Sequence, residues 1–402
     1  MTSTADIDWS ELLAQRARRM KPSALRQLLK ATNRPGMISF AGGLPDPGLF
    51  PLNRIQAAVE AVLRRVGGKA LQYGETEGVP ELRDWIARRY STDAMPLAPD
   101  NVLVTAGAQQ SLDLAGRVLL EEGDRVIVEN PTYMAALLAW QPMGAEFLPV
   151  PADAEGMDVS ELEPLLAQSP KMAYVIPNFH NPTGATLALE RRERLIDSLR
   201  GRNVALFEDD PYAALRYSGE APASLMQLDS HPDDGGHVIQ AGTFSKTLMP
   251  GLRVGWSIGP RVVIERMGRA KQATDLHTST FNQHIALELV NTGYLEEYIP
   301  RLRAAYRERR DLMIAALQEH FPKGSRWKTP EGGMFIWIEL PERIKAGELL
   351  MRALENHVAY VPGEEFHLDG SGSNTIRLNF TKTPPPLIPE GIQRLAEVLN
   401  RA

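Results

Sequence analysis

What most restricts the fold of this chain is a rhythm in its first two thirds, where short apolar runs alternate with longer amphipathic ones. Asn101-Val102-Leu103-Val104-Thr105, Arg125-Val126-Ile127-Val128-Glu129, Met172-Ala173-Tyr174-Val175-Ile176 and Val204-Ala205-Leu206-Phe207-Glu208 read as strands. Residues 109–121, 133–140 and 189–199 between them read as helices; in the first, Leu112, Leu114, Val118 and Leu119 form the apolar side. Strand runs without polar alternation are buried on both faces, and intervening helices supply the cover. The pattern predicts an α/β architecture with a mostly parallel, helix-flanked sheet. Ligands of such sheets gather beyond the carboxyl ends of the strands. Gly107-Ala108-Gln109, the stretch from Asn178 to Gly184, and Asp209-Asp210-Pro211-Tyr212 all fall there. After about residue 280 the rhythm gives way to a long charged helical run, 294–320. A strand in 333–340, a helix over 347–357 and a strand over 375–380 follow, which together predict a smaller α+β domain.

The most informative chemistry lies in residues 242–256, Gly-, Ser- and Pro-rich between two apolar runs. Such a stretch predicts a corner between strands. It places Lys246 beside Thr243 and Ser245, with Arg253 further on. A lysine amine can condense with an aldehyde, while two hydroxyls and a guanidinium hold a phosphate dianion nearby. Pyridoxal phosphate carries both groups. A surface lysine beside a structural arginine is the plain alternative. Gly107-Ala108-Gln109 opens a helix after a strand, so backbone N–H groups there can approach the same phosphate. Arg377, in Ile376-Arg377-Leu378-Asn379, sits on a half-buried strand and needs an anion, either a substrate carboxylate or an internal salt bridge.

In this order the motifs resemble the fold-type I pyridoxal-phosphate aminotransferases (class I/II), from about residue 20 to residue 380. The branch with 2-aminoadipate (lysine-biosynthesis) and kynurenine aminotransferases is the most similar. Beside the lysine loop, the resemblance is carried by Ile38-Ser39-Phe40-Ala41-Gly42-Gly43-Leu44-Pro45, Leu71-Gln72-Tyr73-Gly74, Pro177-Asn178-Phe179-His180-Asn181-Pro182-Thr183-Gly184, Glu208-Asp209-Asp210-Pro211-Tyr212 and Asn374-Thr375-Ile376-Arg377-Leu378-Asn379-Phe380. It implies a large cofactor-binding domain with a seven-stranded sheet over 49–285, an N-terminal arm and flap over 1–48, and a small domain over 286–402. It implies an aminotransferase that moves an amino group between an L-amino acid and a 2-oxo acid such as 2-oxoglutarate.

The resemblance also assigns roles. Lys246 carries the cofactor; Asp209 faces its pyridine nitrogen, whereas Asp210 reads as a helix cap. Tyr212 and Asn181 meet its phenolic oxygen and Tyr133 stacks on its ring. Gly107, Ala108, Gln109, Thr243, Ser245 and Arg253 hold the phosphate. The family often has serine where Ala108 stands, so the backbone must serve there. Arg377 takes the substrate α-carboxylate with help from Asn181, beside Gly43. Arg26 grips a side-chain carboxylate from a segment expected to act as a flap with Leu25, Leu28 and Leu29. Tyr73 reaches the cofactor phosphate and substrate of a neighbouring subunit, so a homodimer with interfacial sites is expected.

Composition excludes several other classes. The chain has 402 residues, a formal charge of −6 and no cysteine, so thiolate and disulfide chemistry are absent and nucleic acid or an anionic membrane is not an expected partner. The histidines are scattered without ligand spacing, which argues against a metal. The first residues lack a basic and apolar signal segment, and the expectation is a cytoplasmic enzyme. Two further readings stay open at this point. One is a lyase or decarboxylase on the same cofactor and fold; the other is a non-catalytic sensor domain that binds it.

Overall fold

The structure is a computed structural model that describes residues 7–22, 28, 32 and 34–401. Arg26, Leu25 and Leu29 lie outside the described residues. The first strand, β1 (Ile38–Ser39), is followed by helices α1 (Leu52–Arg65) and α2 (Pro80–Tyr90). The main sheet has eight strands: β2 (Val102–Thr105), β3 (Arg125–Asn130), β4 (Glu146–Asp153), β5 (Gly156–Met157), β6 (Met172–Val175), β7 (Ala205–Asp209), β8 (Val238–Thr243) and β9 (Gly255–Ile258). Their order is β2-β9-β8-β7-β6-β3-β4-β5. The run from β4 through β3, β6 and β7 to β8 is parallel, and β9 is antiparallel to both its neighbours. The eighth strand beyond the expected seven is β5, a two-residue hairpin partner of the end of β4.

Helices α3 (Ala108–Leu119), α4 (Met134–Trp140), α5 (Leu189–Leu199) and α6 (Arg261–Asp275) accompany this sheet. The central strands β3, β6, β7 and β8 are buried almost throughout, as their unbroken apolar runs require. β4, whose outer side is paired with β5 only at Ala152 and Asp153, reads poorly from sequence because Pro149 and Pro151 interrupt it. Both fall at alternate positions, so their missing donors lie on one side, the side away from β3.

α7 (Thr280–Asn291), which contains residue 285, and the 27-residue α8 (Tyr294–His320) lead to a second sheet. It comprises β10 (Arg326–Trp327), β11 (Phe335–Glu339), β13 (Val361–Pro362) and β14 (Thr375–Asn379), in the order β10-β11-β14-β13. Around it lie α9 (Ala346–Glu355), β12 (Val358–Ala359) and α10 (Leu387–Leu399). β1 pairs in parallel with β12 through Ile38 and Val358, which ties the Gly42-Gly43 segment to the C-terminal part. Among the described residues no helix is long and apolar enough to cross a membrane.

Strand register decides which side chains meet. Tyr174 pairs with Phe207, and Phe207 and Asp209 share one face of β7, so Tyr174 and Asp209 project to the same side. Glu129, one position beyond Val128, which pairs with Tyr174, projects to the other side. Trp140, Tyr174 and Phe207 pack edge to face or tilted, with ring centroids 5.3 to 6.2 Å apart. This cluster fixes the Tyr174 ring under the strand ends.

Candidate active site

A cavity of about 300 Å³ opens where the strand ends meet the Gly43 segment and the second sheet. Lys246 enters it from the loop between β8 and β9, and its Nζ donates to the Gly43 carbonyl at 2.9 Å. Burial, then the charges of Arg377 and Arg253, bring its amine down to about 8. Gly43 cannot carry a side chain here: a Cβ would stand 2.8 Å from the Phe335 ring.

Asp209 closes β7 and is buried. Its Oδ2 accepts the Tyr174 hydroxyl at 2.9 Å, while Oδ1 is buried without a partner among the described residues. Burial, followed after the Tyr174 bond by the charge of Asp210, raises its carboxyl to about 7. Asp210 accepts the Ala213 N–H at 3.1 Å, a bond of the capping kind expected of it, although Tyr212 stands at the cap position of the turn 213–215. Tyr133 and Tyr212 line the same cavity; burial raises both phenols, Tyr133 to about 12. Tyr212 has the Asn181 amide beside its hydroxyl and meets Phe335 edge on at 6.1 Å.

On the other side of the cavity, Thr243 Oγ1 and Ser245 Oγ are 2.9 Å apart, and the Ser245 N–H donates to Thr243 Oγ1 at 3.1 Å. Arg253 donates from Nη2 to the Ala106 carbonyl at 2.7 Å, which brings it against Gly107. Gly107 starts α3 at φ +95 with no side-chain cap, so the first N–H groups of the helix are left for an external acceptor. Ala108 contributes its backbone alone. Gln109 borders the cavity, and one N–H of its amide donates to the Ala135 carbonyl at 2.9 Å.

Arg377, on β14, is 1% exposed. Nη1 donates to Asn181 Oδ1 at 2.6 Å and Nη2 to the Ala41 carbonyl at 2.7 Å, while Nε is buried without a partner. Its guanidinium lies 4.4 Å from the Phe335 ring centroid and 4.7 Å from that of Phe366. Burial lowers its pKa only to about 10, so it stays charged at neutral pH. Among the described residues no carboxylate forms a salt bridge with it, and a buried cation of this kind calls for an anion from outside.

Tyr73 does not join the cavity. It is 78% exposed and meets His277 edge to face at 5.8 Å. The sequence reading missed Tyr174. A lone tyrosine in an apolar parallel strand needs a partner for its hydroxyl, and that was the available signal. Among the described residues no group of three or more His, Asp or Glu side chains is placed to hold a metal ion.

The donor set fits pyridoxal phosphate. The unpartnered Asp209 Oδ1 suits a protonated ring nitrogen, the open end of α3 with Arg253, Thr243 and Ser245 suits a phosphate, and Lys246 suits the aldehyde. Sheet and site together define a pyridoxal-phosphate enzyme of fold type I. Residues 44–395 match the family model for aminotransferase class I and II. The chain is 43% identical to the 2-aminoadipate transaminase of Thermus thermophilus over 396 residues, 98% of each chain. It is 42% identical to aromatic-amino-acid aminotransferase 1 of Thermococcus litoralis over 404 residues, 98% of this chain and 95% of that one. The crystal structure of a multiple substrate aminotransferase from Thermococcus profundus superposes with a TM-score of 0.91 at 41% identity, covering 98% of this chain and 99% of that one. This chain belongs to the class I and II aminotransferases. It is a pyridoxal-phosphate-dependent transaminase.

Proposed function

We propose that the enzyme passes an amino group between glutamate/2-oxoglutarate and a second amino acid, 2-aminoadipate or an aromatic or branched aliphatic one, in one site used alternately by both. The observation that carries this reading is Arg377: a buried, charged guanidinium that meets no carboxylate among the described residues, held by Asn181 and the Ala41 carbonyl at the wall of the Lys246 cavity. An α-carboxylate is common to every substrate of such a reaction. The family names of the relatives support the substrate range.

Bound pyridoxal phosphate supplies the aldehyde that exchanges amino groups and the electron sink for the pair released at the substrate α-carbon. The residues around it take these parts. Lys246 Nζ would hold the cofactor through its aldehyde and, when free, would move the proton at the substrate α-carbon; an amine near 8 has free base at neutral pH for this. Asp209 Oδ1 holds the ring N–H, with Oδ2 fixed by Tyr174. Tyr212 and Asn181 hydrogen-bond the phenolic oxygen, and Tyr133 covers the ring. Thr243, Ser245, Arg253 and the start of α3, from Gly107 to Gln109, hold the phosphate; Gln109 serves through its backbone N–H. Gly43 keeps the substrate side of the cavity open. Arg26 is the residue we assign to the second carboxylate of a dicarboxylic substrate.

A two-fold dimer with Tyr73 reaching the neighbouring site, a cytoplasmic location, and a division into 1–48, 49–285 and 286–402 complete the reading. The exposure of Tyr73 supports the first. A half-reaction assay tests the function: glutamate, 2-aminoadipate and leucine should each convert bound aldehyde cofactor to its amine form with release of the matching 2-oxo acid. Release of carbon dioxide or ammonia in place of the oxo acid would replace transamination of these substrates by another reaction.

A further inference from the structure

Two buried titratable side chains beside the site have no part in the account above. Glu129 is the next-to-last residue of β3, just before Asn130-Pro131-Thr132-Tyr133, and His180 immediately precedes Asn181. Both side chains are 1% exposed, and Glu129 Oε2 lies 3.2 Å from His180 Nε2. The same oxygen accepts the Ile176 N–H at 3.1 Å. His180 is the centre of its loop. Its Nδ1 is 2.9 Å from Thr183 Oγ1, its N–H donates to the Ala185 carbonyl at 2.8 Å, and its carbonyl accepts the Gly184 N–H at 2.6 Å. Asn181, the next residue, accepts Arg377.

The surroundings decide the charge of the pair. Burial raises the Glu129 carboxyl, against the backbone bonds from Ile176 and Met157, and burial lowers the His180 imidazole. The titratable neighbour of Glu129 is Tyr174, whose hydroxyl is committed to Asp209. Among the described residues no lysine or arginine pairs with Glu129. Two charges in so dry a place cost more than one shared proton. Among the described residues Nε2 has no other partner, and the Glu129 carboxyl 3.2 Å away is the group placed to meet it. Nδ1 then carries the ring proton and donates to Thr183 Oγ1, a tautomer assigned from these partners.

We propose that Glu129 and His180 are positioning residues of this transaminase: one neutral hydrogen bond from the Glu129 carboxyl to His180 Nε2 ties the Asn181 loop to the strand end that leads to Tyr133, and so holds the amide that orients Arg377. The inference rests on the reading of Arg377 and Asn181 as the carboxylate site. Glu129→Gln keeps a donor for Nε2 but gives up the Ile176 bond, because one oxygen makes both contacts; Glu129→Leu and His180→Leu lose the link itself. In the holoenzyme, the leucine variants should raise KM for both amino acid and oxo acid about tenfold, with kcat changed less than about threefold, whereas Glu129→Gln stays within about threefold on both. Equal falls in kcat for all three variants, or unchanged KM in His180→Leu, would overturn the positioning role. Arg377→Lys is the control for the underlying reading: if it leaves KM unchanged, the carboxylate site fails, and this proposal with it.

A second readout needs no catalysis and survives poor folding of the leucine variants. A carboxyl raised in the folded state stabilises below its ordinary value of 4.5, and that contribution is lost as pH rises toward about 8. Glu129→Gln has nothing to titrate, so the melting temperature of its apoprotein should gain on wild type from about pH 5 to about pH 8. If the difference from wild type stays flat over that range, the pair holds no proton in the folded protein and the neutral bond is refuted.

Discussion

Lys246 differs from a surface lysine in two measurable ways: its Nζ is held by the Gly43 carbonyl, and its surroundings favour the neutral amine. Burial and two nearby guanidinium groups all act against the protonated form, so the amine deprotonates near 8 where an ordinary lysine does so at 10.5. Covalent capture of the cofactor needs the neutral amine. Its rate in the apoprotein should therefore rise about tenfold per pH unit below 8 and level above it. A rate that keeps climbing toward 10.5 would show that the loop does not depress the amine. Lys246→Ala should lose at least about a thousandfold in turnover. Borohydride should then fix no cofactor to the protein, while in wild type the label should fall on Lys246 alone.

At the scale of elements, the phosphate end of the site depends on how α3 begins. Gly107 adopts φ +95, and a Cβ there would stand 2.6 Å from Arg253 Nη2. Gly107→Ala imposes both a left-handed alanine and a displaced guanidinium, together on the order of 1–2 kcal/mol. The dissociation constant of the cofactor, read by fluorescence titration of the apoprotein, should rise about tenfold. An unchanged constant would mean that the start of α3 does not bind the phosphate. Most of this framework was legible beforehand. The spans 189–199 and 294–320 match α5 and α8 because long amphipathic periodicity is a local property. The residues at the strand ends were legible because their motifs are local too. What escaped is non-local. Tyr174 reaches Asp209 across strands 35 positions apart, and Glu129 meets His180 only after β3 and β6 are in register. The bond from Gln109 to Ala135 escaped for the same reason, since Ala135 is a neighbour through helix packing alone. Pro149 and Pro151 hid β4, because a strand left mostly unpaired on one side tolerates what a central strand cannot. Arg26 lies outside the described residues, and its role stays a proposal.

The whole molecule carries one further argument, from what a single chain leaves uncovered. Tyr73 is 78% exposed, and Leu71, two residues before it, is 66% exposed. Leu276, beside the His277 that Tyr73 touches, is 52% exposed. Large apolar side chains gathered in this way favour a contact with another copy. In a two-fold dimer each surface meets its own equivalent, so a residue that completes one site completes both. Complementation tests this without a structure of the dimer. Lys246→Ala removes the amine from its own chain's site; on the proposed dimer, Tyr73→Ala removes the hydroxyl from its partner's. Neither variant alone should retain more than a small part of the activity. Reassembled together at random, half the dimers are mixed, and each mixed dimer has one site with both groups intact, so about a quarter of wild-type activity should return. If mixing restores nothing while sedimentation shows that mixed dimers form, Tyr73 serves its own chain or no site at all.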